Sequence, residues 1–177
     1  MKPHLFFLFL LLLSCNAGQK LHTEQYKNRD ILVGKATRAD LETKPYNEWF
    51  DANYRDYRPK AAVIAGLKPV VNQYKFVVLL GTWCGDSQEQ VPVLFKVLDA
   101  AGYHKKPVLY CVPRRYKYYK PAKSYNIIRV PTIIVYKKNK EIGRIIEYPM
   151  QDIESDLLKI MTTKDYRHEL DERENLN

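Results

Sequence analysis

The chain has 177 residues, 46% of them hydrophobic, with 29 Lys and Arg against 20 Asp and Glu and a formal net charge of +9. That size fits one domain with its own core. Cys15, Cys84 and Cys111 form no CxxC pair and are too few for a disulfide framework, and the scattered His22, His104 and His168 lack ligand spacing, so neither a metal nor another cofactor is expected.

In chain order, Lys2 gives a short positive start and Leu5 to Leu13 is an unbroken apolar run followed by Ser14 and Cys15. The run is well short of the roughly 20 residues that a spanning helix needs, which favours a cleaved signal peptide over residues 1–14. Leu12-Leu13-Ser14-Cys15 resembles the bacterial lipobox, and that resemblance implies lipid on Cys15, export, and anchoring in the cell envelope. An ordinary signal peptide is the alternative. Residues 15–45 are polar and aperiodic and read as a tether, leaving a domain over 46–163 and a charged, frayed tail over 164–177.

Within the domain, Tyr46, Trp49, Phe50 and Tyr54 recur at helical spacing, and Ala61, Ile64 and Ala65 share a face of a second short helix. Lys75 to Leu80 changes the period to that of a buried central strand. A helix over Ser87 to Ala101 follows, with Val91, Leu94, Phe95 and Leu98 apolar on one side. Pro107 to Val112 is a second buried strand, and Arg114 to Tyr125 is a basic loop or short helix. Val130 to Tyr136 and Glu141 to Glu147 form a hairpin in which Asn139 takes the left-handed turn position. A last amphipathic helix runs from Asp152 to Met161. The order β-α-β-α-β-β-α predicts an α/β fold, a central mixed sheet with helices on both faces and an N-terminal helical extension.

From Ala100 to Lys140 there is no Asp or Glu, while Arg114, Arg115, Lys117, Lys120, Lys123 and Arg129 fall there among tyrosines. Such interleaving fits nucleic acid in general. With export expected, no nucleic acid is expected; an acidic partner, the membrane surface or a merely solvated face fits better.

Trp83-Cys84-Gly85-Asp86-Ser87, Pro92 in the following helix, and Val130-Pro131-Thr132 before the hairpin together resemble the thioredoxin superfamily, over about Lys75 to Met161. The resemblance implies a thioredoxin-like fold with Cys84 as the reacting thiol, Trp83 shielding it, Gly85 leaving room for close approach, and Pro131 cis and opposite the sulfur. Val130 would then present its backbone to an extended substrate. Two departures stand out. Ser87 replaces the second cysteine, and Val78 falls where a buried acid often helps proton movement.

A free thiol, with its pKa of about 8.5, is mostly protonated at neutral pH, and the amides at a helix start favour the thiolate. Asp86 opposes them. A serine hydroxyl cannot resolve a mixed disulfide. Ser87 is instead expected to hydrogen-bond the Cys84 sulfur, with release left to an outside thiol, the substrate's own second cysteine, or Cys111. A cysteine inside an apolar strand is more often a small core residue. The expected function is therefore monothiol exchange, isomerase-like or deglutathionylating, by a monomer acting on cysteine-containing exported proteins or low-molecular-weight thiols. The alternative is a non-catalytic lipoprotein that binds a partner through its basic face. A peroxidase is disfavoured because the Pro and Thr or Ser expected before a peroxidatic cysteine are missing.

Overall fold

The computed structural model describes residues 20–163 and 165–171; the expected signal peptide and the expected lipid site at Cys15 lie outside the described residues. Six strands make one mixed sheet: β1 His22–Tyr26, β2 Arg29–Ala36, β3 Tyr74–Leu80, β4 Val108–Cys111, β5 Thr132–Lys137 and β6 Lys140–Ile146, in the spatial order β1-β2-β4-β3-β5-β6. The helices are α1 Arg38–Leu41, α2 Asn47–Asp56, α3 Ala61–Leu67, α4 Gly85–Ala100, α5 Lys120–Ser124 and α6 Ile153–Thr162. Among the described residues no helix is long and apolar enough to cross a membrane.

Strand β3 is the axis. It pairs in parallel with β4 and antiparallel with β5, and β5 returns through Lys138 and Asn139, both at positive φ, into β6. With neighbours on both edges and cover on both faces, β3 is buried apart from Lys75 near its start, which explains a near-continuous apolar run. Side-chain alternation sends Tyr74, Phe76, Val78 and Leu80 into a larger core that also holds Phe50, Leu94, Leu98, Leu157 and Ile160. Val77 and Leu79 enter a smaller core on the other face, with Tyr110, Val112, Ala122, Ile127, Val130 and Ile134.

Within the segment read as a tether, His22–Tyr26 and Arg29–Ala36 are instead strands of the sheet. Tyr26 and Arg29 flank Lys27 and Asn28, whose φ values of 49 and 59° make the two-residue turn between β1 and β2, and β2 then pairs antiparallel with β4 at Gly34 to Ala36. Strand β1 is an exposed edge with almost no burial, so its sequence carries no apolar alternation. The N-terminal extension is thus a hairpin followed by helices. Its register against the rest is held where β2 outruns β4: the Leu32 N–H donates to Thr82 Oγ1 at 3.0 Å in a buried bond.

The frayed tail also needs correction. Tyr166 donates its hydroxyl to Asp156 at 2.8 Å, and the buried His168 sits between the Tyr148 carbonyl (2.8 Å) and the Leu170 N–H (3.2 Å). Asp156, itself buried in α6, also accepts from the Met150 N–H at 2.7 Å, so the tail and the segment after β6 share one carboxylate.

The acid-free stretch does not make one basic face. Lys105 and Lys106 precede β4 and Lys137 to Lys140 surround the β5–β6 turn, at the starting end of β3, whereas Arg114 to Lys123 follow β4 at its finishing end.

Thr82→Val keeps the shape of the side chain and removes the acceptor for the buried Leu32 N–H. It should destabilise the protein by about 1–3 kcal/mol in urea unfolding. Amide exchange should quicken in β2 before it quickens in β5; a variant as stable as the wild type would contradict this anchoring of the hairpin.

Candidate functional site

The site begins where β3 stops. The chain turns tightly after Leu80, with the Cys84 N–H bonded to the Gly81 carbonyl at 2.9 Å. Gly81 has no substitute here, because a Cβ on it would lie 2.6 Å from Cε2 of Trp83. The Trp83 indole donates to the Val112 carbonyl at 2.9 Å, stacks against Tyr116 with centroids 6.3 Å apart, and has the Arg114 guanidinium 4.4 Å from its ring. Cys84 is the N-cap of α4, with extended backbone (φ −99°, ψ 125°) and its carbonyl accepting from the Gln88 N–H at 3.0 Å. Its half-buried sulfur therefore sits at the helix end whose amides lack intrahelical acceptors. Gly85 faces open space, since a Cβ there would meet nothing within 4 Å.

The second element of the site is the loop before β5. The Val130–Pro131 bond is cis, and Cys84 Sγ donates to the Val130 carbonyl at 3.3 Å. The Val130 N–H has no acceptor among the described residues. The loop is tied from both sides: Glu147 N–H donates to the Pro131 carbonyl at 2.7 Å, Thr132 Oγ1 to the Arg129 carbonyl at 2.7 Å, and Arg129 pairs with Glu147 at 2.8 Å. Tyr116 adds a hydroxyl bond to the Ile128 carbonyl at 2.9 Å. Trp83, Cys84 and Val130 thus converge beside the cis Pro131.

Ser87 takes a different place from the one expected. It is fully buried, and its Oγ accepts the Gly81 N–H at 3.1 Å, so it braces the turn rather than the sulfur. The side-chain group near Cys84 Sγ is Asp86, with Oδ2 at 3.7 Å. Val78 is fully buried within the larger core and brings no acid to the site. Cys111 is fully buried in that same core, whereas Trp83 and Cys84 pack on the smaller core of the opposite sheet face. Burial pushes the Cys111 thiol from 9.0 up to about 12, so near neutral pH it stays protonated. The sheet itself separates it from the site, which removes the geometric basis for a resolving role. Among the described residues no three His, Cys, Asp or Glu side chains are grouped to hold a metal ion.

Pro92 lies inside α4 and cannot donate to the Gln88 carbonyl one turn back. Asn53 of α2 supplies the missing donor, with Nδ2 at 3.1 Å from that carbonyl and 2.9 Å from the carbonyl of Trp49. The helix carrying Cys84 is thereby fixed to α2 through the carbonyl that Pro92 leaves without a donor.

Sequence reasoning missed the hairpin's part in the site. Tyr26 and Arg114 meet beside Trp83, with Arg114 Nε 3.2 Å from the Tyr26 oxygen, and the β1–β2 turn forms one side of an open groove of about 950 Å³ that reaches Cys84. The available signal was the Lys27-Asn28 pair, which repeats the turn chemistry of Lys138-Asn139.

No family model matches the chain, and no curated protein matches it in sequence. Among solved structures it is similar to a protein of unknown function from Pseudomonas aeruginosa, at 14% identity over 68% of this chain and 76% of that one, with a TM-score of 0.53. An HIV epitope scaffold is similar at 15% identity, 66% and 74% coverage and a TM-score of 0.52. A mutant thioredoxin from Halobacterium salinarum aligns at 13% identity over 57% of this chain and 82% of its own, with a TM-score of 0.36. The mixed sheet, with a helix opening at Cys84 and a cis proline before the last hairpin, is a thioredoxin-like fold.

Iodoacetamide on the native protein near neutral pH should label Cys84 and leave Cys111 on the order of a hundredfold slower, as read by peptide mapping, until denaturant is added. A thiol whose pKa is raised on folding stabilises the fold below its unfolded value of 9.0 and loses that contribution as pH climbs toward about 12. Replacing Cys111 by Ala should therefore flatten the alkaline fall in stability, at the cost of a small cavity. Native labelling of Cys111 at the rate of Cys84 would refute its burial.

Proposed function

We propose that this chain is a monothiol thiol-disulfide exchange protein, with Cys84 as its attacking sulfur. The observation that carries the reading is Cys84 at the N-cap of α4, facing the Val130 carbonyl at 3.3 Å across a cis Val130–Pro131 bond. The thiolate attacks one sulfur of a substrate disulfide, the S–S bond breaks, the other substrate sulfur leaves as a thiolate, and a mixed disulfide with Cys84 remains. In this reading the Val130 amide and carbonyl hold an extended substrate beside that sulfur. Trp83 covers the approach from the β4 side through its bond to Val112, while Gly85 leaves the other approach open.

Among the described residues nothing completes the exchange. Ser87 has no sulfur and is committed to Gly81, and Cys111 lies on the far face of the sheet. The adduct persists until an outside thiol, or a second cysteine on the substrate, attacks it. That chemistry suits isomerisation or deglutathionylation better than net dithiol reduction, with cysteine-containing exported proteins and low-molecular-weight thiols as the substrate classes.

Lipid on Cys15 belongs to the same proposal and has a geometric consequence. Because β1 begins at His22, the residues from 16 to 21 can reach at most about 20 Å even when extended. A lipid at Cys15 would hold the domain close against the envelope membrane, without the long tether first expected. Cys15→Ser should move the protein from the membrane fraction to the soluble fraction while leaving its thermal unfolding unchanged.

Wild-type protein incubated with cell-envelope extract should form mixed disulfides that vanish on reduction and are missing in Cys84→Ser. Ser87→Cys should shorten the lifetime of those adducts by at least about tenfold, since a thiol one helical turn away can resolve them. If wild-type protein traps nothing where a thioredoxin variant lacking its second cysteine does, the exchange reading fails and a purely binding role takes its place.

A further inference from the structure

Both tryptophans of the chain, Trp49 and Trp83, line the open groove of about 950 Å³ beside Cys84. Its walls are the β1–β2 turn, the segment entering α2, and the Thr82 to Cys84 turn with Arg114. Three cations, Lys27, Arg29 and Arg114, belong to this lining, and none of them has a carboxylate partner among the described residues. Two acids are present as well: Asp30, whose carboxylate takes the side-chain amide of Gln25, and Glu48 in the first turn of α2.

Arg114 is the most constrained of the cations. Its guanidinium lies 4.4 Å from the Trp83 ring and 5.7 Å from the Tyr26 ring, and its Nε is bonded to the Tyr26 oxygen. The two terminal nitrogens have no acceptor among the described residues. A planar guanidinium already held against two rings gives up little freedom when it takes a carboxylate bidentately. The ordinary ionisation of Tyr26 is shifted downward, chiefly by the Arg114 hydrogen bond and with help from the Lys27 charge, in keeping with a locally positive field. Because Trp83 immediately precedes Cys84, a carboxylate bound at Arg114 would belong to a residue near the reacting sulfur. The rings of Tyr26, Tyr46, Trp49 and Trp83 add apolar wall that an inorganic anion would not use, whereas a polypeptide would.

We propose that this groove is a recognition site for an acidic polypeptide segment flanking the target cysteine, with Arg114 as the carboxylate anchor and the N-terminal hairpin as the wall that completes it. The proposal rests on the reading of Cys84 as the attacking thiol, and its test separates the two. Binding is measured first, without sulfur chemistry, on full-length protein carrying Cys84→Ala. The probes are two peptides with a serine in place of the target cysteine, one flanked by Glu and the other by Lys, and the readout is tryptophan fluorescence. At low salt the acidic peptide should bind about three- to tenfold more tightly, with the preference shrinking as salt screens it. Arg114→Glu should abolish or invert the preference, Lys27→Glu should reduce it, and Lys138→Glu, an equal charge change on the β5–β6 turn, should leave it intact. Equal affinity for the two peptides, or a preference that survives both Arg114→Glu and Lys27→Glu, overturns the proposal.

Exchange is measured second, with wild-type protein and an uncharged peptide whose cysteine carries a 2-pyridyl disulfide. Attack by the Cys84 thiolate on the peptide sulfur breaks the pyridyl S–S bond, forms the protein–peptide disulfide and releases the coloured pyridine-2-thione. Absence of release there refutes the Cys84 reading, while a charge preference in the first measurement still upholds the groove as an acidic-peptide site.

Discussion

The structure depends on a strand that is buried apart from Lys75 near its start. β3 is hydrogen-bonded to β4 on one edge and β5 on the other, and both of its faces are covered by apolar side chains. From Phe76 to Leu80 every side chain of this strand is buried, so the candidate site lies beyond its end. At that end Gly81 lets the chain fold back under Trp83, and Ser87 holds the turn by taking the Gly81 amide. The sulfur then emerges at a helix start, facing the loop that leads into the neighbouring strand.

The same burial explains why two cysteines in one small domain differ so sharply. Cys84 follows the strand and stays accessible; Cys111 lies within β4, on the face where α2, α4 and α6 pack. Burial keeps one thiol protonated and inert. The serine in place of a second site cysteine has a structural use of its own, because a buried hydroxyl oxygen satisfies a backbone amide that would otherwise be left unpaired. The turn is therefore braced by a side chain that carries no sulfur.

The additions around this centre change what can approach it. The hairpin, held to the turn by the Leu32–Thr82 bond, brings Tyr26 against Arg114 and gives the site a wall on the side away from Pro131. Asn53 plays a comparable part between helices, meeting the carbonyl that Pro92 leaves without a donor. In both cases a polar side chain ties a backbone group of one part to the other, Thr82 of the central fold reaching the extension and Asn53 of the extension reaching the central fold. The extension is thus bound by directional bonds as well as by apolar packing.

Much of the central fold was legible in the residues themselves. The run from Lys75 to Leu80, the helix after Cys84, the Lys138-Asn139 turn and the last amphipathic helix follow from periodicity and turn chemistry, because their burial is one- or two-sided and leaves a pattern. The β1–β2 hairpin was not legible, although Lys27-Asn28 is the same turn dipeptide, because an exposed edge strand imposes no alternation on its side chains. The docking of Tyr166 and His168 was hidden for a related reason: single polar residues in a charged tail find buried partners only when the surface they meet already exists. By itself the sequence determined that one cysteine stands at a strand-to-helix turn, since local propensity and spacing suffice for that; a proline opposite it was implied only by the family resemblance. Only the tertiary structure decided that Ser87 faces Gly81, that Cys111 lies behind the sheet, and that Arg114 stands between Tyr26 and Trp83. Those contacts are set by how the elements pack, and no local pattern encodes them.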